Sequence, residues 1–100
     1  MFNILTTDVF DEWLANLKDS KARAAITKRI MRATQGNFGD HKFLRESLWE
    51  MRIDTGKGYR VYYNQRGKVI YLLLCGGDKS SQRQDIERAI TMISQLEQNK

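Results

Sequence analysis

Four cations, Arg52, Lys57, Arg60 and Lys79, are spaced so that a small sheet can gather them. In "WEMRID" Arg52 falls on the polar side of a period-two pattern. Arg60 opens the return strand "YRVYY", and Lys57 sits in the turn "DTGKGY" between them. Lys79 follows the aliphatic run "VIYLLLC" within "LCGGDKSSQ" and can reach the same sheet surface. Cations on a rigid sheet neutralise phosphate, and the interleaved Tyr59, Tyr62 and Tyr63 offer rings on which bases stack. The same residues also fit a plainer arrangement, in which Arg52 and Arg60 pair with Glu50 and Asp54 across a wet sheet face. Gly76 and Gly77 read as a turn between that aliphatic run and the last helix, and they suit a site where the backbone must approach something closely.

Other chemistries are poorly supplied. A single histidine, His41, and a single cysteine, Cys75, cannot make a zinc site or a Cys–His nucleophile backed by a second histidine. No Gly-rich loop has nucleotide-binding spacing. His41 reads as a surface loop residue. One cysteine allows no intrachain disulfide, no apolar stretch approaches ~20 residues, and no secretory leader is evident, so the expected setting is the cytoplasm without a membrane partner.

Charge is unevenly distributed along the 100 residues, which carry a formal +5. Asp8, Asp11, Glu12 and Asp19 dominate the start, whereas Lys21, Arg23, Lys28, Arg29 and Arg32 follow with no acid among them. Such a basic middle suits either a polyanion or simple solvation.

The elements that must position these groups are legible from period and caps. "FNILT" is a short strand. Thr7 caps a helix with an apolar stripe of Val9, Phe10, Trp13, Leu14 and Leu17, and Asp19–Ser20 caps a second with Ala22, Ala25, Ile26, Ile30 and Ala33 inward. Gly36 stops that second helix. Trp49, Met51 and Ile53 share one face of the next strand and Glu50, Arg52 and Asp54 the other. The run Val69–Cys75 is apolar on both sides and is expected to be the most buried, central strand, paired with Tyr59–Tyr63. Ser81 and Gln84 form a capping box for a last helix lined by Ile86, Ala89, Ile90, Ile93 and Leu96. The prediction is one α+β domain over residues 1–100, β-α-α-β-β-β-α, with a small, mainly antiparallel sheet, a helical hairpin and a C-terminal helix.

The wording of several segments carries more. "FDEWLANLKD", "GNFGDHK", "LWEMRIDTGKGYRVYY" and "LLLCGGDKSSQRQDIERA", in that order from Phe2 to about Leu96, resemble the RelE/ParE superfamily of toxins of bacterial toxin–antitoxin pairs, above all its HigB-like, phage-derived addiction-module killer branch. The resemblance implies the same RelE-like fold and an endoribonuclease (mRNA interferase) that cuts mRNA, often on the translating ribosome, under the restraint of a cognate antitoxin.

It also implies a site. Arg52, Arg60 and Lys79 match the family's basic positions and take the catalytic roles; Lys57, Tyr59, Asp78 and Arg83 are expected beside them in contact with RNA. Gly76 and Gly77 then bring the backbone to the substrate. The reaction implied needs no metal or cofactor, because the ribose 2′-OH attacks the adjacent phosphate. RelE-like relatives carry a tyrosine early in the last helix where this chain has Gln84-Asp85-Ile86, so the proton movers stay open among Asp78, His41 and Tyr59. The antitoxin is expected on the basic helix at Lys21, Lys28 and Arg32. A ParE-like toxin that inhibits DNA gyrase by binding is the alternative, and a basic module that only binds is a third. The three catalytic cations are expected on the surface, each removable for about 1 kcal/mol or less.

Overall fold

The computed structural model describes residues 1–98. They form β1 (Asn3–Thr6), α1 (Asp8–Ala15), α2 (Ser20–Thr34), β2 (His41–Arg45), β3 (Leu48–Ile53), β4 (Tyr59–Gln65), β5 (Ile70–Asp78), a 3₁₀ turn (Lys79–Ser81) and α3 (Gln82–Gln98). One five-stranded sheet has the order β1-β5-β4-β3-β2, and only the β1–β5 pair is parallel. The α+β class, the helical hairpin and the mainly antiparallel sheet are as predicted.

The expected caps hold both hairpin helices. Thr7 Oγ1 accepts from the Phe10 amide at 3.1 Å, and Asp19 Oδ1 accepts from the Ala22 amide at 3.1 Å. Gly36 ends α2 at φ +90°, a left-handed conformation that costs glycine little. The hairpin's apolar stripe, with Phe10, Ala22 and Ile26 fully buried, packs on one sheet face with Met51, Ile53, Val61 and Tyr63. Against the other face, α3 sets Ala89 and Ile93 on Leu48, Tyr62, Leu74 and Cys75.

Four details depart from the sequence reading. Strand β2, whose outer edge is unpaired and whose residues are mostly exposed, is an additional element, so the string is β-α-α-β-β-β-β-α. The central strand is β4, not the aliphatic run. Val69–Cys75 does pair with β4 from Tyr62 onward, but Val69 is 48% exposed and its strand starts at Ile70. Nor is the polar side of β3 wet at Glu50, which is buried beneath α3, although Arg52 is only half-buried and Asp54 is exposed. Finally, the β5 strand continues through Gly76 and Gly77 to Asp78. Those glycines make no turn. A Cβ on Gly76 would run into the Trp13 ring, and one on Gly77 into the Asp85 carboxylate, so they admit α1 and the start of α3 against the sheet. The close approach they permit is to the two helices.

Candidate functional site

The hairpin β3–β4 sets Arg52 directly opposite Arg60, and Arg60 in turn lies opposite Gly77 of β5. Two residues beyond Gly77 the chain delivers Lys79. A cleft of about 310 Å³ is lined by Asp40, Arg52, Ile53, Asp54, Gly58, Tyr59, Arg60 and Lys79. Gly58, at φ +85°, lets the Lys79 stem lie across the hairpin turn: an added Cβ there would sit 2.7 Å from Lys79 Cε.

The three cations are held very differently. Arg60 Nη1 donates to Glu50 Oε2 at 3.1 Å, and their side chains are only 14% and 2% exposed. Gln82 Nε2 donates to the second Glu50 oxygen at 3.4 Å. Arg60 is therefore a mostly buried guanidinium fastened to a buried carboxylate, which corrects its expected placement on the open surface. Arg52 donates through Nη2 to Asp40 Oδ1 at 2.9 Å, an exposed pair that high dielectric and side-chain entropy make weak. The anticipated acid for both arginines was Glu50 or Asp54, and the structure gives Glu50 to Arg60 and Asp40 to Arg52. Lys79 makes no ion pair among the described residues and is exposed.

Arg29, unassigned by the sequence, organises this edge from α2. Its guanidinium donates to the Arg52 carbonyl at 2.6 Å, to Phe38 at 2.8 Å and to Asp40 at 3.1 Å. It thereby fixes the loop that presents Asp40 to Arg52. Gly39, at φ +62°, passes so near that a Cβ would lie 2.7 Å from Arg29 Nη2. Only the "GNFGD" glycine gave any sequence signal of this.

The other expected site residues divide among separate places. Lys57 and Asp78 pair at 3.1 Å and line a second cleft with Trp13, Asn16, Leu17, Lys18, Asp19 and Tyr59. Hydrogen bonds from Ser80, then from Lys57, hold the Asp78 carboxyl below its ordinary range. That makes it a weak base. The Tyr59 ring is 97% buried, 6.4 Å from Trp13, and separates the two clefts. Tyr62 and Tyr63 are equally buried, in opposite cores, because successive side chains of a strand point to opposite faces of the sheet. These three tyrosines therefore offer no open face for stacking.

His41 begins β2 with Nδ1 2.8 Å from the Gly39 carbonyl, its ring against Phe38 and Trp49, and lines neither cleft. Arg83 lies in a shallow depression with Arg45, Gln82, Ile86 and Glu87. Lys21, Lys28 and Arg32 are exposed on α2, with Lys28 beside the α1–α2 groove. Ser81 bonds Asp85 and the Asp78 carbonyl instead of joining a capping box with Gln84.

Three comparisons bear on this geometry. The family described as "Phage derived protein Gp49-like (DUF891)" matches residues 12–95. A Haemophilus influenzae protein, described as uncharacterized, is 48% identical over 93 residues, covering 93% of this chain and 94% of its own. A chain of the intact E. coli RelBE toxin–antitoxin complex superposes with a TM-score of 0.63 at 14% identity, covering 78% of this chain and 96% of that one. The fold is thus RelE-like.

Proposed function

Because the chain belongs to the Gp49-like phage-derived family and has a RelE-like fold, we propose that it is the toxin of a bacterial toxin–antitoxin pair and an endoribonuclease acting on mRNA at the ribosome. The observation that carries this is one cleft holding two arginines in register with a lysine free of any carboxylate partner among the described residues. RNA brings its own nucleophile. The 2′-oxygen attacks the neighbouring phosphorus, the bond from phosphorus to the 5′-oxygen breaks, and the products are a 2′,3′-cyclic phosphate and a 5′-hydroxyl.

Charge accumulates on the phosphorane oxygens, so preorganised donors beside them supply most of the rate. Arg60 suits this task because Glu50 holds it in place and only one of its nitrogens is engaged there. Lys79 adds a mobile ammonium. Arg52 exchanges its weak bond with Asp40 for a phosphate oxygen. Asp40 and Asp54 are the carboxylates of the cleft wall and so are the groups placed to take the 2′-hydroxyl proton.

The cognate antitoxin meets the basic face of α2 at Lys21, Lys28 and Arg32 with acidic groups, which raises the rate of capture more than its final strength. A second reading has one observation in its favour. Both arginines are already neutralised by carboxylates, as befits a ParE-like inhibitor of DNA gyrase that needs no phosphate site. The deciding experiment induces the protein in cells, maps transcript 5′ ends, and assays purified gyrase in parallel. New 5′ ends with active gyrase support the nuclease; inhibited gyrase with intact transcripts overturns it.

A further inference from the structure

The second cleft, of about 580 Å³, falls in the size range of small-ligand sites, ~300–1,000 Å³. Its walls are the β3–β4 turn on one side and the joint between α1 and α2 on the other. The turn is docked, not free: Gly56, at φ +59°, approaches Asp19 so closely that a Cβ would lie 2.8 Å from Asp19 Oδ2. Trp13 contributes an indole that is only partly buried, with its six-membered ring resting on Gly76. Around it stand the exposed Asn16 amide, Lys18, Lys57 and Asp78.

We propose that this cleft is a base-binding subsite for the nucleotide flanking the cut phosphate, with the base laid against Trp13. The proposal rests on the RNA-cutting reading above. Three observations carry it. The cleft shares the Tyr59 wall with the cation cleft, and Asp78 and Lys79, one on each side, are consecutive, so a strand seated at one site has only this wall to cross to reach the other. Its charges balance, Lys18 and Lys57 against Asp19 and Asp78, which suits a neutral base better than a phosphate. An indole has the π-surface on which bases stack, and the Asn16 amide offers both a donor and an acceptor to a base edge. The buried sheet tyrosines cannot do this, whereas Trp13 can.

The test follows Trp13 emission in a Trp49→Phe background, which leaves one tryptophan. The probe is a short single-stranded RNA made with 2′-O-methyl riboses, so that the nucleophile is blocked. Saturable quenching is expected, and an oligonucleotide abasic at the position flanking the intended cut should bind about tenfold more weakly with little quenching. Lys79→Ala should cut transcripts far less and bind RNA more weakly, yet at saturation quench Trp13 as before. Asn16→Ala should shift the base preference in transcript 5′-end maps several-fold. RNA that is cut without any response from Trp13, or equal quenching by the abasic probe, overturns the subsite while leaving the nuclease reading intact. RNA neither bound nor cut overturns both.

Discussion

Replacing Arg60 by alanine leaves the Glu50 carboxylate, 98% buried, without its cation. Breaking a buried pair from one side costs about 3–5 kcal/mol, since the remaining charge keeps its desolvation penalty and loses its compensation. The Arg52–Asp40 pair, with side chains 38% and 61% exposed, sets the contrast: its loss costs about 0–1 kcal/mol. In a domain of 100 residues each kcal/mol moves the melting temperature by ~4–8 °C, so Arg60→Ala should melt at least roughly 12 °C lower while Arg52→Ala stays within a few degrees. Urea unfolding of both variants, with Glu50→Leu, Arg60→Met and the Glu50→Leu/Arg60→Met double variant, gives the cycle. The double variant should recover most of what Arg60→Ala loses, because an apolar pair of similar volume has no charge left to desolvate. Equal costs at Arg60 and Arg52, or a double variant no better than Arg60→Ala, would refute the assignment of a buried pair. Arg60→Lys, which keeps a cation beside Glu50, is accordingly the variant in which lost growth arrest reports on chemistry.

Lys79→Ala should relieve growth arrest with unchanged unfolding, whereas Lys68→Ala, in the exposed β4–β5 turn, should leave arrest intact; colony counts after induction compare them. Gly77→Ala should destabilise by about 1–3 kcal/mol through its collision with Asp85, measured by chemical unfolding. Asp78, held low by Ser80 and Lys57, contributes stability that is present above the ordinary carboxylate pKa and lost as pH falls through its lowered native value. Ser80→Ala should raise that native value and shrink the acid-side loss, which a carboxyl NMR titration reads directly. Burial pushes the Cys75 thiol up to about 12, so its alkylation at pH 8 should proceed only at the rate of unfolding.

The helical hairpin was legible because its caps and stripes are local. Thr7, Asp19 and the inward alanines act within a few residues of themselves. The alternation along β3 was legible too, but its meaning was not. Glu50 sits on the polar phase of the strand and is nevertheless buried, since the element covering it is α3, more than thirty residues away. The glycine pair misled for the same reason: what it accommodates, Trp13 and Asp85, comes from remote chain. Strand β2 is short, polar and on the sheet edge, so its exposed Lys42 and Arg45 read as loop. Arg52, Arg60 and Lys79 do share a cleft, whereas Lys57 and Asp78 face the other side of the hairpin tip.

The parallel β1–β5 pair has a bearing on the order in which the protein assembles. Strands β3, β4 and β5 join through short turns, so their pairing closes small loops at little entropic cost. Strand β1 must find β5 across most of the chain, and the Thr7 hydroxyl reaches the Leu74 carbonyl over a separation of 67 residues. Non-local closure of this kind is slow relative to local pairing. The meander that bears Arg52 and Arg60 is thus the part that can form early, and the first strand and α1, with Trp13 on it, dock onto it afterwards. In hydrogen exchange during refolding, amides of β3 and β4 should gain protection before those of β1. A chain in that interval has its cations aligned while the wall opposite Lys57 is still missing.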